Sequence, residues 1–208
     1  MVDNQLRPNK VTDAHVIAAM GAVPRERFVP QDLQGVAYVD EDLPIGKGRV
    51  LMEPMVLARM LEAAEITPDD VVLDIGSGTG YTAAVCAKIA TTVVSVENDP
   101  RLAAEASRIL AELECDNVVT IEAAMTDGYP RQAPYDVILF SGAIAEIPDN
   151  ILSQLADGGR LVAVVAPPGQ VPSAMLARNC GGSTAQRKIF DASIPYLTGF
   201  AREPGFVF

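Results

Sequence analysis

Val71-Val72-Leu73-Asp74-Ile75-Gly76-Ser77-Gly78-Thr79-Gly80-Tyr81 joins a short β-branched run to a glycine-rich turn and then to a helical pattern. The bulk of Val71 to Ile75 fits a strand covered on both faces. Glycines directly after such a strand let the backbone approach a ligand closely, with the N–H groups of the following helix facing it. Downstream the alternation repeats. Strands are expected at Thr92–Val96, Asn117–Ile121, Tyr135–Phe140 and Arg160–Val165. Helices are expected over Tyr81–Ala90, from Pro100 to about Leu113, and from Pro148 to Leu155. Strands separated by helices specify an α/β fold with a doubly wound, mostly parallel, Rossmann-like sheet and right-handed crossovers.

The second strand ends in Glu97, about 20 residues beyond the turn, where nucleotide-binding α/β sheets place the acceptor for a ribose diol. Each oxygen of a carboxylate can accept one hydroxyl proton, so an acid suits a diol and repels a 2′-phosphate. Dinucleotide enzymes favour Gly-x-Gly-x-x-Gly, a cradle for pyrophosphate. Here Gly76, Gly78 and Gly80 are spaced Gly-x-Gly-x-Gly and follow an acid, Asp74. That form resembles motif I of the class I S-adenosylmethionine methyltransferases. The resemblance implies that Asp74, Ser77 and the backbone of Gly76, Gly78 and Gly80 hold the methionyl end of S-adenosyl-L-methionine, while Glu97 binds the ribose. It also places Asp127 and Gly128, after the third strand, near the adenine amino group; Asp-Gly is equally a common turn pair.

Upstream of this core, Val11 to about Val29 reads as a helix plus a turn, with Thr12 or Asp13 as cap and Val16, Ile17 and Met20 as its apolar stripe. Gly35 to Met52 has no sustained period and reads as a long ordered loop. A helix follows with Pro54 in its first turn and Val56, Leu57, Met60, Leu61 and Ala64 along one face. The last forty residues read as two or three further strands, the clearest from about Arg187 to Ile194. Phe206-Val207-Phe208 gives the chain an apolar tip.

Several of these flanking segments resemble the protein-L-isoaspartate O-methyltransferases. They are Met1-Val2-Asp3-Asn4-Gln5-Leu6-Arg7, Met20 through Pro30, Tyr38 through Asp42-Leu43-Pro44-Ile45-Gly46, Tyr135-Asp136-Val137-Ile138, Glu146-Ile147-Pro148 and Leu155 through Val162. The likeness runs in order to about Val165. It implies one methyltransferase domain over 1–208, with a helical and loop extension (1–69), a cofactor-binding core (70–165) and C-terminal strands (166–208). The implied reaction is methyl transfer to the carboxylate of an isomerised aspartyl residue in a protein or peptide.

The sequence departs from that family at one place. After Ile45-Gly46 the family pattern runs through a glycine into Gln-Thr-Ile-Ser and a proline-led helix. This chain has Gly48-Arg49-Val50-Leu51-Met52-Glu53-Pro54, so Val50 and Met52 replace two hydroxyl residues. Lys47 and Arg49 are the candidate partners for an acceptor carboxylate, and Ser141, after the fourth strand, is a candidate acceptor contact. The departure leaves two alternatives to protein repair: a methyltransferase with another acceptor, and a non-catalytic S-adenosylmethionine-binding module.

Bulk properties narrow the partners. A net charge of −11 works against sequence-independent nucleic-acid binding and against anionic membrane surfaces. Three separated cysteines, Cys86, Cys115 and Cys180, give no zinc-type spacing and read as reduced thiols of a cytoplasmic protein. The single histidine, His15, reads as a residue of the first helix.

Overall fold

The computed structural model describes residues 1–9 and 11–201 and has a seven-stranded sheet at its centre. Two chain segments precede that sheet. Helix α1 (Ala14–Ala22) is capped by Asp13, whose side chain accepts from the His15 and Val16 amides, so of the two expected caps Asp13 serves. Helix α2 (Pro54–Ala64) starts on proline and buries the expected stripe. Between them, Gly35 to Met52 is not the long loop read from composition, because it carries two strands. Short 3-10 helices cover Arg25–Phe28 and Gln31–Val36, and strands β1 (Leu43–Gly46) and β2 (Arg49–Leu51) form an antiparallel hairpin. The hairpin turns through Gly46, Lys47 and Gly48, all at positive φ. Strands this short carry too little alternation to be read.

The main sheet comprises β3 (Val71–Ile75), β4 (Thr92–Glu97), β5 (Val118–Glu122), β6 (Tyr135–Ile144), β7 (Leu155–Val165), β8 (Ser173–Cys180) and β9 (Ser183–Asp191). Their spatial order is β5-β4-β3-β6-β7-β8-β9. The first five are parallel; β8 and β9 add as antiparallel strands at one edge. Helix α3 (Tyr81–Ala87) carries the chain from β3 to β4, and α4 (Pro100–Glu112) carries it from β4 to β5. Strand order reverses between β3 and β6, so the crevice at their carboxyl ends is the topological switch point, where such sheets bind ligands.

Burial follows the period-two rule. Val72, Val93, Val137 and Val162 belong to a core shared with α1 to α4. Leu73, Val94, Ile138 and Leu161 face the opposite core. On that second side, short elements replace full helices. Single turns at Met125–Asp127 and Pro130–Gln132 and helix α5 (Asp149–Leu152) cover it, together with Leu197 and Phe200 from the segment after β9. The expected helix from Pro148 to Leu155 is therefore one turn, and β7 begins at Leu155 rather than Arg160. The fourth strand runs on to Ile144, which puts Ser141 inside it rather than after it. The expected strand from Arg187 to Ile194 is the end of β9, with β8 before it. The apolar tip at Phe206 to Phe208 lies outside the described residues.

Arg160 ties the second half of the fold to the end of α2. Arg160 on β7 donates to the carbonyls of Ala64 (2.9 Å) and Glu65 (2.8 Å), and to Asp70 Oδ2 at 2.5 Å. It thereby satisfies carbonyls that a helix C-terminus leaves unpaired. Arg160→Met should destabilise the protein by about 1–3 kcal/mol, because it takes the cation from the buried Asp70 carboxylate and this donor from two helix-end carbonyls. Chemical denaturation at neutral pH would measure that loss, and an unchanged midpoint would contradict it.

Candidate active site

The turn after β3 is shaped by two local requirements. The Gly76 amide donates to the Val96 carbonyl at 2.8 Å, tying the turn to the neighbouring strand. Gly76 and Gly78 have φ of +79° and +57°, a region that residues with a Cβ rarely enter. A Cβ on Gly76 would sit 2.7 Å from Leu197 and 3.2 Å from Arg49, and one on Gly78 would sit 2.5 Å from Ile45. Three side chains from outside the core strands therefore lie over the glycines. Ile45 and Arg49 come from the β1–β2 hairpin, and Leu197 comes from the segment after β9.

Glu97, fully buried at the end of β4, is the hub. Gly78 N–H donates to its Oε2 at 2.8 Å. The amides of Asn98 and Asp99 donate to Oε1 at 2.9 and 3.1 Å. Arg49 Nη1 donates to both carboxylate oxygens, at 2.9 and 2.8 Å, while its Nη2 donates to the Gly76 carbonyl at 2.5 Å. Arg49, a candidate partner for an acceptor carboxylate, is only 5% exposed and holds an internal carboxylate in this structure. Charge explains the burial: a planar fork between a carboxylate and a carbonyl finds acceptors for both terminal nitrogens. Lys47, on the same hairpin, stays half-exposed and pairs with Asp99 at 2.5 Å, holding that carboxyl below its usual range.

Asp74, in the middle of the sheet, forms the second centre. Its Oδ1 accepts from the Ser141 hydroxyl at 2.7 Å, and Ser141 Oγ lies 2.9 Å from Thr82 Oγ1. Its Oδ2 is buried with no hydrogen-bond partner among the described residues, as is Ser77 Oγ. Burial pushes the Asp74 carboxyl up to about 7, against the opposing pull of the Ser141 hydrogen bond. Ser141, expected as an acceptor contact, is thus a partner of Asp74.

The remaining expected residues divide. Gly80 (φ +94°) does not face the cradle; a Cβ there would meet Ala106 and Leu110 of α4 at 3.2 and 3.3 Å, so it serves helix packing. Gly128 likewise packs against Gln154 and Ile151. Asp127 is exposed, and its carbonyl accepts from Gln154 Nε2 at 2.8 Å. The turn that carries it approaches the hub through Met125, whose sulfur lies 3.9 Å from Arg49 Nη1. Of the two departures from the hydroxyl pattern, Met52 is buried in the larger core, and Val50 is half-buried opposite Pro44 in the hairpin. Sequence reasoning did not find the Arg49–Glu97 pair, Thr82 or Leu197, since each contact joins segments distant along the chain.

These residues fit S-adenosylmethionine. The orphan Asp74 Oδ2 and Ser77 Oγ offer acceptors for an ammonium group, the glycines permit close backbone approach, and Glu97 can accept from a diol. An orphan carboxylate kept for a ligand should cost stability. The unfolded Asp74 titrates near ~4 and the folded one near 7. Its contribution is then fully favourable below pH ~4 and is lost as pH rises through 7. Asp74→Asn should raise stability by roughly 2–4 kcal/mol at pH 8, and by nothing near pH 4. It should weaken cofactor binding at the same time. Denaturation at the two pH values measures the first effect; equal gains at both would contradict it.

Comparison with known proteins agrees with this geometry. The family model for protein-L-isoaspartate(D-aspartate) O-methyltransferase matches residues 1–197. A protein-L-isoaspartate O-methyltransferase of Methanoculleus marisnigri is 45% identical over 167 residues, covering 80% of this chain and 76% of that protein. One from Koribacter versatilis is 39% identical over 199 residues, covering 96% and 89%. A solved protein-L-isoaspartate O-methyltransferase superposes with a TM-score of 0.84 at 26% identity, over 93% of this chain and 63% of that one. A Plasmodium falciparum structure described as a beta-aspartate methyltransferase in complex with S-adenosyl-L-homocysteine has a TM-score of 0.82 at 19% identity, over 95% and 96%, a likeness of fold. With the family match extending across all but the last residues, the chain belongs to the protein-L-isoaspartate(D-aspartate) O-methyltransferase family.

Proposed function

We propose that this protein transfers the methyl group of S-adenosylmethionine to the α-carboxylate of L-isoaspartyl residues in proteins and peptides, the step that starts their repair. The observation that carries the reading is Glu97 at the switch-point edge beside the glycine cradle, inside a chain that matches the family along nearly its whole length. When bound, S-adenosylmethionine supplies an electrophilic methyl on a sulfonium sulfur. The acceptor carboxylate oxygen provides the electron pair of the new O–CH3 bond, and the pair of the breaking S–CH3 bond stays on sulfur as a thioether. No proton moves, because the acceptor is already ionised at neutral pH, and no general base is needed.

The chain's task is therefore alignment and the exclusion of water, which can supply about 7–11 kcal/mol of the barrier. Glu97 would accept from the ribose hydroxyls and Asp74 from the amino end, while Ile45 and Leu197 would close over the reacting groups. Val50 and Met52 leave this reading intact, since the burial of Met52 in the core gives it a packing role. Free Cys86, Cys115 and Cys180 support placing the protein in the cytoplasm. Among the described residues, no helix is long and apolar enough to cross a membrane.

Two measurements test the proposal. Labelled methyl transfer to an isoaspartyl peptide, with the aspartyl peptide as control, should be selective for the isoaspartyl form; cofactor binding without transfer would reject the repair assignment. Gly78→Val should abolish both cofactor binding, read by calorimetry, and transfer, because its Cβ meets Ile45 and its φ is unfavourable. Retained binding would contradict the glycine-cradle assignment.

A further inference from the structure

Glu97 is oversubscribed. Its two oxygens already receive five donations: three backbone N–H groups and two from Arg49 Nη1. A carboxylate offers about four lone-pair sites, so two ribose hydroxyls cannot be added to this set. Some donor has to leave. The amides of Gly78, Asn98 and Asp99 belong to the turn after β3 and the entry to α4, and cannot move without undoing both. Arg49 is a long side chain on a two-stranded hairpin that turns through three positive-φ residues, Gly46, Lys47 and Gly48.

The guanidinium, once displaced, needs another anion, because a buried charge without a partner is costly. The proposed reaction brings one: its second substrate is a carboxylate. Arg49 already holds a carboxylate in this structure, in a crevice at the carboxyl edge of the sheet and bonded to Gly76 of the cradle. It also stands in the segment where Val50 and Met52 have removed the two hydroxyls that family members carry.

We propose that Arg49 is a carboxylate-exchange residue, bound to Glu97 until the nucleoside diol takes that carboxylate and then free to bind and orient the carboxylate of the methyl acceptor. The proposal rests on the activity proposed above. It makes cofactor binding a condition for acceptor binding, since Arg49 serves one carboxylate at a time. It also places acceptor recognition on a residue that the family's Gln-Thr-Ile-Ser pattern lacks.

The test compares wild type, Arg49→Met and Arg49→Lys. Calorimetry gives the affinity for S-adenosylhomocysteine without any turnover, and initial rates give KM and kcat for an isoaspartyl peptide. Removing the competitor from Glu97 should tighten S-adenosylhomocysteine binding in R49M by about tenfold, and should raise the peptide KM by about tenfold or more with a smaller change in kcat. R49K keeps the charge and loses the fork, so it should recover part of the peptide KM. Should R49M fail to fold, as a melting scan would show, R49K carries the same two readouts with smaller changes. An active wild type whose variants bind S-adenosylhomocysteine no more tightly, or whose peptide KM is unmoved, overturns the exchange. A wild type that binds S-adenosylhomocysteine but methylates no isoaspartyl peptide overturns the acceptor half together with the proposed activity.

Discussion

A carboxylate buried without solvent must be surrounded by donors, and Glu97 gathers them from three parts of the chain. The turn after β3 gives Gly78, the entry to α4 gives Asn98 and Asp99, and the β1–β2 hairpin gives Arg49. Satisfying one acid therefore sets the path of the glycine turn, the start of a helix and the docking of the N-terminal extension. The two halves of the parallel sheet part where β3 and β6 lie side by side, and Asp74 and Ser141 meet across that boundary. The site lies where the sheet's topology brings two buried acids, Asp74 and Glu97, to the carboxyl edge of adjacent strands.

The two acids are held differently, and the difference suits their proposed ligands. Glu97 has a full complement of donors, one of which can be traded. Asp74 has one partner at Oδ1 and none at Oδ2, and burial raises its carboxyl to about 7. An acid poised so is unfavourable for the isolated fold and favourable toward a cation that shares its pocket, the usual opposition between stability and function at a binding site. Around them, Ile45 and Leu197 supply apolar cover, so charge is confined to atoms with a task.

Much of this was legible in the chain because the period-two and glycine signals are local. The run from Val71 to Tyr81, the acid at Glu97 and the strands on either side specify the core without tertiary knowledge. Asp13 and Pro54 announce their helices for the same reason. What escaped was non-local or short. The hairpin at 43–51 has too few residues to show alternation, and the crossover between β5 and β6 is built of single turns around Gly128, Pro130 and Pro134. The sequence offers Arg49 as a partner for an acceptor carboxylate, but its pairing with Glu97, 48 residues away, shows only in the fold. Gly80 and Gly128 have the right residue type but spend their small size on helix and side-chain packing.

If Glu97 is the ribose acceptor, Arg49 must yield it when the cofactor binds. A crystal structure of the wild-type protein with S-adenosylhomocysteine would decide this. Both ribose hydroxyls are expected on Glu97, with the Gly78, Asn98 and Asp99 amides still bonded to it and the Arg49 guanidinium withdrawn from both carboxylate oxygens. A complex with Arg49 Nη1 still bonded to both oxygens of Glu97, or with the ribose bound by other residues, would contradict it.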